Sequence, residues 1–213
     1  MKQKVFLICG RENLSADTNF LLNFTAFLKG KGFQVIHESE FIESDFQSHF
    51  VTKLKQSEIF AQGIVYAKRL MISRFERWIT PISINVRAKR ILNRLNKLNT
   101  ENHEVYIVGR SAGAIVATYV AQKIPIKAIF AIGYPFIHPI YGEQRFRFRH
   151  LAHFQTPMYI FQGVSDEYGS GLQIMQIPMS EKIHVDYFET NHDFKLSASD
   201  WLVFTSRIEK YTI

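Results

Sequence analysis

EVYIVGRSAGAIVATYVAQ, residues 104–122, is the stretch on which the reading of this chain turns. An apolar run, Val105–Val108, ends in Gly109-Arg110-Ser111-Ala112-Gly113 and passes directly into residues of helical composition. A Gly-x-Ser-x-Gly pentapeptide alone arises by chance in roughly one chain in ten to twenty of this length, with Gly near 7% of average composition. The setting carries more information. A serine between a strand and a helix sits on a sharp turn that lifts its hydroxyl above the carboxyl edge of a sheet. Glycines two residues to either side let the two backbones pass close together. The pattern predicts a nucleophile at Ser111 with Gly109 and Gly113 as elbow glycines; the competing reading is an ordinary glycine-rich turn.

Outward from this elbow, short apolar runs alternate with helical patterns. KVFLIC (4–9), FQVIHE (33–38), EVYIVG (104–109), IKAIFAIG (126–133), PMYIFQG (157–163) and KIHVDYFE (182–189) read as six strands. Phe20, Leu21, Phe24, Phe27 and Leu28 fall at helical spacing, with Gly30 and Gly32 to stop the helix. Ile84, Ala88, Ile91, Leu95 and Leu98 mark a second amphipathic helix, and residues 112–122 a third. A last helix over 199–211 turns Trp201, Phe204 and Ile208 inward, with Ser199 or Asp200 as its N-cap. Continuous apolar strands alternating with helices are the mark of a sheet covered on both faces. The expected fold class is α/β: a three-layer α/β/α sandwich around a mostly parallel six-stranded sheet. Residues 1–213 read as a single domain, with 41–80 as a helical excursion or small cap.

Bulk properties narrow the function. The 213 residues are 46% hydrophobic, 14% aromatic and 21% charged, which are globular values. The single cysteine, Cys9, excludes an intrachain disulfide and a cysteine-based zinc cluster; on the first strand it reads as a small buried apolar residue. The run Val5–Cys9 is too short for a signal peptide, and no stretch approaches the ~18 apolar residues of a membrane span, so a cytoplasmic protein is expected. The net charge is +7, and residues 68–97 hold nine Lys/Arg against one acid, Glu76. Such a block is either a solvated helix face or a surface for acidic lipid, nucleic acid or an anionic substrate. The solvated face is the simpler reading, and no nucleic-acid partner is expected. RFRFRH (145–150) alternates Arg and Phe, as a strand with a solvated basic face or a nucleic-acid surface does. Ile64, Met71, Phe75 and Trp78 form the apolar side of a segment over 60–79 that either packs on the domain or acts as an amphipathic lid or membrane-surface helix.

A serine hydroxyl needs a base to take its proton, and the base needs an orienting carboxylate. Two more strand ends supply them. After MYIFQG comes Val164-Ser165-Asp166, and after VDYFE comes Thr190-Asn191-His192. Residues beyond the carboxyl ends of parallel strands face the crevice where such folds bind ligands. Ser111, Asp166 and His192 are therefore the expected nucleophile, acid and base, with Glu167 and Asp193 as neighbouring carboxylates. Backbone donors for an oxyanion are expected at Ala112, at the start of a helix whose dipole favours negative charge, and at Gly10 or Arg11 after the first strand. Arg110 is placed to pair with a carboxylate and is given no catalytic role. His37 and His103 lie beside strands in no sequence pattern that suggests a site. His150 and His153 share a possible helix face but lack a third ligand, so neither a metal nor a cofactor is expected.

Four segments carry a resemblance: GRSAGA (109–114), GYPFIHP (133–139), RHLAHFQTPMYIFQGVSDEYG (149–169) and NHDF (191–194). On them the chain resembles the α/β-hydrolase superfamily. Within it, the chain resembles a group of small hydrolase-like proteins that includes chromatin-complex and testis-expressed homologues. Tyr-Pro-x-x-His-Pro is the distinctive segment. The resemblance implies the same three residues as nucleophile, acid and base, and a sheet corresponding to the last six of the usual eight strands. Cys9-Gly10 departs from the His-Gly that often follows the first strand. The expected function is a serine hydrolase cleaving an ester, thioester or related acyl bond of a small molecule. The alternative is a non-catalytic binding protein that uses a basic surface, as some relatives serve as complex subunits.

Overall fold

The structure, a computed structural model, describes residues 2–10, 20–40, 81–97 and 102–212. The 41–80 excursion with its lid candidate, Arg11 and Leu98 lie outside the described residues. In chain order the elements are β1 (Gln3–Cys9), α1 (Phe20–Gly30), β2 (Gln34–His37), α2 (81–95), β3 (His103–Arg110), α3 (Ala112–Ala121) and β4 (Ala128–Ile132). They continue with β5 (Ile137–His138), β6 (Gly142–Glu143), α4 (Arg145–Phe148), a 3-10 turn (Arg149–His153), β7 (Met158–Gly163), α5 (Gly171–Ile174), β8 (Ile183–Phe188) and α6 (Ala198–Thr212). The six expected strands form one sheet in the order β2-β1-β3-β4-β7-β8, and every neighbouring pair is parallel. β5 and β6 make a separate antiparallel pair within the segment between β4 and β7.

Period-two alternation sorts the strand residues between two cores. Leu7, Cys9, Val105, Ile107, Ile129, Ala131 and Ile160 point to one face, where α2 brings Ile84, Ala88, Ile91 and Leu95 and α3 brings Ala114, Ile115 and Val116. Phe6, Ile8, Tyr106, Val108, Phe130, Ile132 and Phe161 point to the other, covered by Phe20, Phe24 and Leu28 of α1 and Phe204 and Ile208 of α6. The first core is mostly aliphatic and the second mostly aromatic. Phe204 lies 4.9–6.3 Å, centroid to centroid, from the rings of Phe20, Phe24, Phe161, Phe188 and Phe194. Among the described residues no helix is long and apolar enough to cross a membrane.

Two local expectations are corrected. RFRFRH is not a strand: Arg145–Phe148 is a helical turn, and Arg147 is buried rather than part of a basic surface. Its guanidinium donates to Gln144 Oε1 (2.7 Å) and to the Pro135 carbonyl (3.3 Å), so the charge enters the interior with acceptors provided. The last helix is capped two to three residues earlier than expected. Ser197 Oγ accepts the Asp200 N–H (3.1 Å) and donates to the Asp200 carboxylate (2.7 Å), which makes Ser197 the cap and Asp200 its third helical residue.

Candidate active site

The parallel sheet delivers β3, β7 and β8 with their carboxyl ends at one edge, and each is followed by one of the three predicted groups. Ser111 occupies the one-residue elbow between β3 and α3 with φ 51° and ψ −124°. A non-glycine residue held there costs about 1–3 kcal/mol, so the surroundings must hold it. The Ser111 N–H donates to the Ile132 carbonyl (3.0 Å), and its own carbonyl accepts the Ala114 N–H (2.8 Å). The flanking glycines are required sterically. A Cβ on Gly113 would lie 2.1 Å from the Cys9 carbonyl oxygen, and one on Gly109 would lie 2.4 Å from Ala114 Cα. These are the contacts of a helix leaving a strand too closely for any side chain between them.

Ser111 Oγ is 2.9 Å from His192 Nε2, and His192 Nδ1 is 3.0 Å from both Asp166 oxygens. The Nδ1–H donates to the carboxylate, which leaves Nε2 to accept from the serine hydroxyl. Asp166 is 2% exposed, and its carboxylate also accepts the Gln162 amide (2.8 Å) and the Tyr168 N–H (2.8 Å). Three donors from three directions fix its plane. Of the candidate carboxylates Asp166 is the one against His192; Glu167 is exposed, and the Asp193 N–H turns back to Asn191 Oδ1.

The loop carrying His192 is tied at several points. The Thr190 carbonyl accepts the Ser165 N–H (3.1 Å), and Phe194, at φ 56°, plugs its ring into the aromatic core. A Cβ on Gly163 would lie 2.4 Å from the Thr190 carbonyl oxygen, so the β7 and β8 ends touch along their backbones. Arg110 reaches across from the elbow to the His192 loop. Its guanidinium donates to the His192 carbonyl and, at 3.4 Å, to that of Ile132. The Tyr168 ring lies 4.3 Å from the His192 ring, backed edge-on by His138.

Four contributors escaped the sequence reading in this role: Gln162, Arg110, Tyr168 and Gly133. Gln162 is fully buried; it accepts the Tyr134 N–H and donates to Asp166 and to the Gly169 carbonyl. A Cβ on Gly133 would lie 2.8 Å from the Arg110 guanidinium and 3.4 Å from both Asp166 Oδ2 and His192 Nδ1. The signal for these residues was their position in the GYPFIHP, QGVSDEYG and GRSAG segments. The Tyr-Pro-x-x-His-Pro segment acts as scaffold: His138 Nδ1 accepts the N–H groups of Ile140 and Tyr141, and the Tyr134 hydroxyl donates to the Arg147 carbonyl.

In front of the elbow is a cleft of about 430 Å³, lined by Gly10, Ser111, Ala112 and Gly113 on one side and by Arg87 and Arg90 of α2 on the other. The Gly10 and Ala112 candidates for oxyanion donors thus border one cavity with Ser111. Cys9 is buried behind the elbow, and burial, followed by the field of Glu38, pushes its thiol pKa well up, so it is no nucleophile. Of the other histidines, His37 Nε2 meets Thr25 Oγ1 (3.3 Å) and His150 Nε2 meets Thr118 Oγ1 (2.8 Å), whereas His153 is exposed. Burial lowers the His150 pKa to about 4. No group of three potential metal ligands occurs among the described residues.

Known proteins match this arrangement at the level of family and fold. A model of the alpha/beta hydrolase domain matches residues 40–210. The chain belongs to the α/β-hydrolase family. An esterase from Pyrococcus furiosus superposes with a TM-score of 0.58 at 11% identity, covering 99% of this chain and 81% of the esterase. A hydrolase from Oleispira antarctica gives 0.56 at 15% identity, covering 100% and 92%. The N-formylmaleamic acid deformylase of Pseudomonas putida gives 0.55 at 11% identity, covering 97% and 92%. At these identities the likeness is one of fold. No curated protein matches the chain by sequence.

Proposed function

We propose that this α/β-hydrolase protein is a serine hydrolase that cleaves an ester, thioester or related acyl bond of a small molecule through an acyl-enzyme. The observation that carries the reading is the continuous relay from Ser111 Oγ through His192 to Asp166, at 2.9 Å and 3.0 Å. Ser111 Oγ attacks the carbonyl carbon while His192 Nε2 takes the hydroxyl proton, and Asp166 stabilises the resulting imidazolium. The carbonyl oxygen becomes an oxyanion that accepts hydrogen bonds from the N–H of Ala112, at the start of α3, and from that of Gly10, directly after β1. Collapse breaks the bond to the leaving group, which departs with the proton from His192. Water then attacks the acyl-enzyme, gives a proton to His192, and frees the acid as that proton returns to Ser111. Every step uses groups of this chain, and no cofactor is invoked.

The closer resemblance, to small hydrolase-like proteins with the Tyr-Pro-x-x-His-Pro segment, fits the same reading, because that segment braces the Asp166 and His192 loops. The binding-protein alternative loses part of its motive: Arg147 is internal, and Arg87 and Arg90 of the basic block face the Ser111 cleft. Steady-state hydrolysis of 4-nitrophenyl butyrate tests the proposal. Turnover should fall about 10⁴-fold or more in Ser111→Ala and in His192→Ala. Retention of wild-type turnover in Ser111→Ala overturns it.

A further inference from the structure

Tyr168 stands two residues beyond Asp166 and lays its ring against the His192 imidazole, with centroids 4.3 Å apart and planes inclined by 35°. Its backbone is tied on both sides: the N–H donates to Asp166 Oδ1 (2.8 Å), and the carbonyl accepts the Ile137 N–H (2.8 Å). His138 backs the ring in turn, 5.9 Å away and at 78° to it. His138 is 5% exposed, and its Nδ1 accepts the N–H groups of Ile140 and Tyr141, so its own orientation is fixed. Three rings thus stand in series, from buried His138 through Tyr168 to the imidazole beside Ser111.

The hydrogen bonds of His192 leave one motion open. The contacts at Nε2 and Nδ1 hold two atoms of the imidazole, and the ring can still rock about the line that joins them. A second ring pressed on one face stops that motion on its side. The π face of a tyrosine also carries partial negative charge and attracts a cation within about 6 Å of its centroid. In acyl transfer His192 is a cation only while it holds the proton taken from Ser111 or from water. Its side chain is 15% exposed, so solvent screens the contact weakly. Asp166 stabilises the cation at Nδ1, and the Tyr168 ring meets it from the face.

We propose that Tyr168 is a positioning residue: its ring holds the His192 imidazole in the orientation that serves both Ser111 and Asp166, and favours its cationic form. This role rests on the serine-hydrolase reading above. Around His192 the other charged or titratable groups of the described residues include Asp166 and Glu167 after β7, Arg110 at the elbow, Asp193 in its own loop and His138 behind Tyr168. Across the cleft beyond Ser111 are Glu38, Arg87 and Arg90. A change of the Tyr168 side chain alters none of these groups, and the backbone contacts to Asp166 and Ile137 survive it.

The test measures kcat and KM for 4-nitrophenyl butyrate from pH 5 to 9 in the wild type, Tyr168→Leu and Tyr168→Phe. Leucine should lower kcat about 3- to 30-fold with KM little changed, because the lost contact acts when the imidazolium forms. It should also move the acid limb of kcat/KM toward lower pH by about half a unit, since the proton on the imidazole loses a stabilising partner. Phenylalanine keeps the ring and should recover most of both. Wild-type kcat and acid limb in Tyr168→Leu overturn the role, and so does a Tyr168→Phe variant as impaired as Tyr168→Leu, which would assign the effect to the hydroxyl. Absence of turnover in all three chains, with no adduct at Ser111, sinks the hydrolase reading. Proton NMR then decides the stack by itself. The ring current of Tyr168 should hold the His192 ring protons upfield in the wild type and in Tyr168→Phe, and release them in Tyr168→Leu. A wild-type spectrum with those protons at the positions of free histidine refutes the stack even where the leucine variant does not fold.

Discussion

Gln162→Met probes the least visible part of the site. Gln162 sits at the end of β7 with no exposed surface, and its amide makes four polar contacts. Its oxygen accepts the Tyr134 N–H (2.9 Å); its nitrogen donates to Asp166 Oδ2 (2.8 Å) and faces the Gly169 and Tyr134 carbonyls at 3.1 and 3.3 Å. Methionine keeps the length and removes every one of them. The Tyr134 N–H and the Gly169 carbonyl are then left without this partner in the interior, at about 1–3 kcal/mol each. With the lost contact to a charged oxygen, the sum is about 3–5 kcal/mol. For a chain of this size 1 kcal/mol moves Tm by about 2–4 °C, so Tm should fall by about 6–20 °C. Asp166 retains the Tyr168 N–H and the His192 Nδ1–H, so catalysis should weaken and not vanish: kcat down about tenfold or more, with KM little changed. Scanning calorimetry and ester hydrolysis below the transition read both quantities. A variant with wild-type Tm and wild-type kcat would refute the claim that this amide braces the Asp166 loop.

Three other perturbations follow from the same geometry. Gly113→Ala drives a Cβ into the Cys9 carbonyl and should lower Tm by more than 10 °C or prevent soluble expression, whereas Gly30→Ala, with open space around it, should shift Tm by less than 2 °C in the same thermal scan. His150 titrates near 4 in the folded chain because burial disfavours its cation, against about 6.5 unfolded. The unfolded state therefore binds the extra proton between those values: stability is complete above pH 6.5 and falls by about 3 kcal/mol as pH drops to 4. In urea titrations at pH 7 and pH 4.5, His150→Gln should lose less stability between the two than the wild type. Cys9 should resist a disulfide reagent in the native protein and react fully in denaturant; stoichiometric labelling within minutes under native conditions would contradict its burial.

Much of this architecture is legible in the chain because its signals are local and agree. Continuous apolar runs such as Val5–Cys9 and Val105–Val108 specify buried parallel strands, and the elbow, Asp166 and His192 each follow one of them directly. A short window loses that clarity. Arg145–Phe148 alternates with period two, yet four residues suit one helical turn as well as a strand, and acceptors at Gln144 and Pro135 draw Arg147 inward. Ser197, Ser199 and Asp200 are all capping types, so composition alone leaves the helix start open by three residues. The braces are long-range facts: Arg110 meets a carbonyl 82 residues away, and Arg87 meets Glu38 49 residues away. Nothing near either arginine in sequence announces its partner.

The central claim is that the hydroxyl of Ser111 is activated by His192. Treatment with a fluorophosphonate followed by peptide mass spectrometry measures this directly, since only an activated serine displaces fluoride at a useful rate. The account predicts one adduct per chain, on the peptide containing Ser111, formed at least a hundredfold more slowly in His192→Ala. A folded protein that stays unmodified while a control hydrolase reacts, or one labelled at another residue, would contradict it.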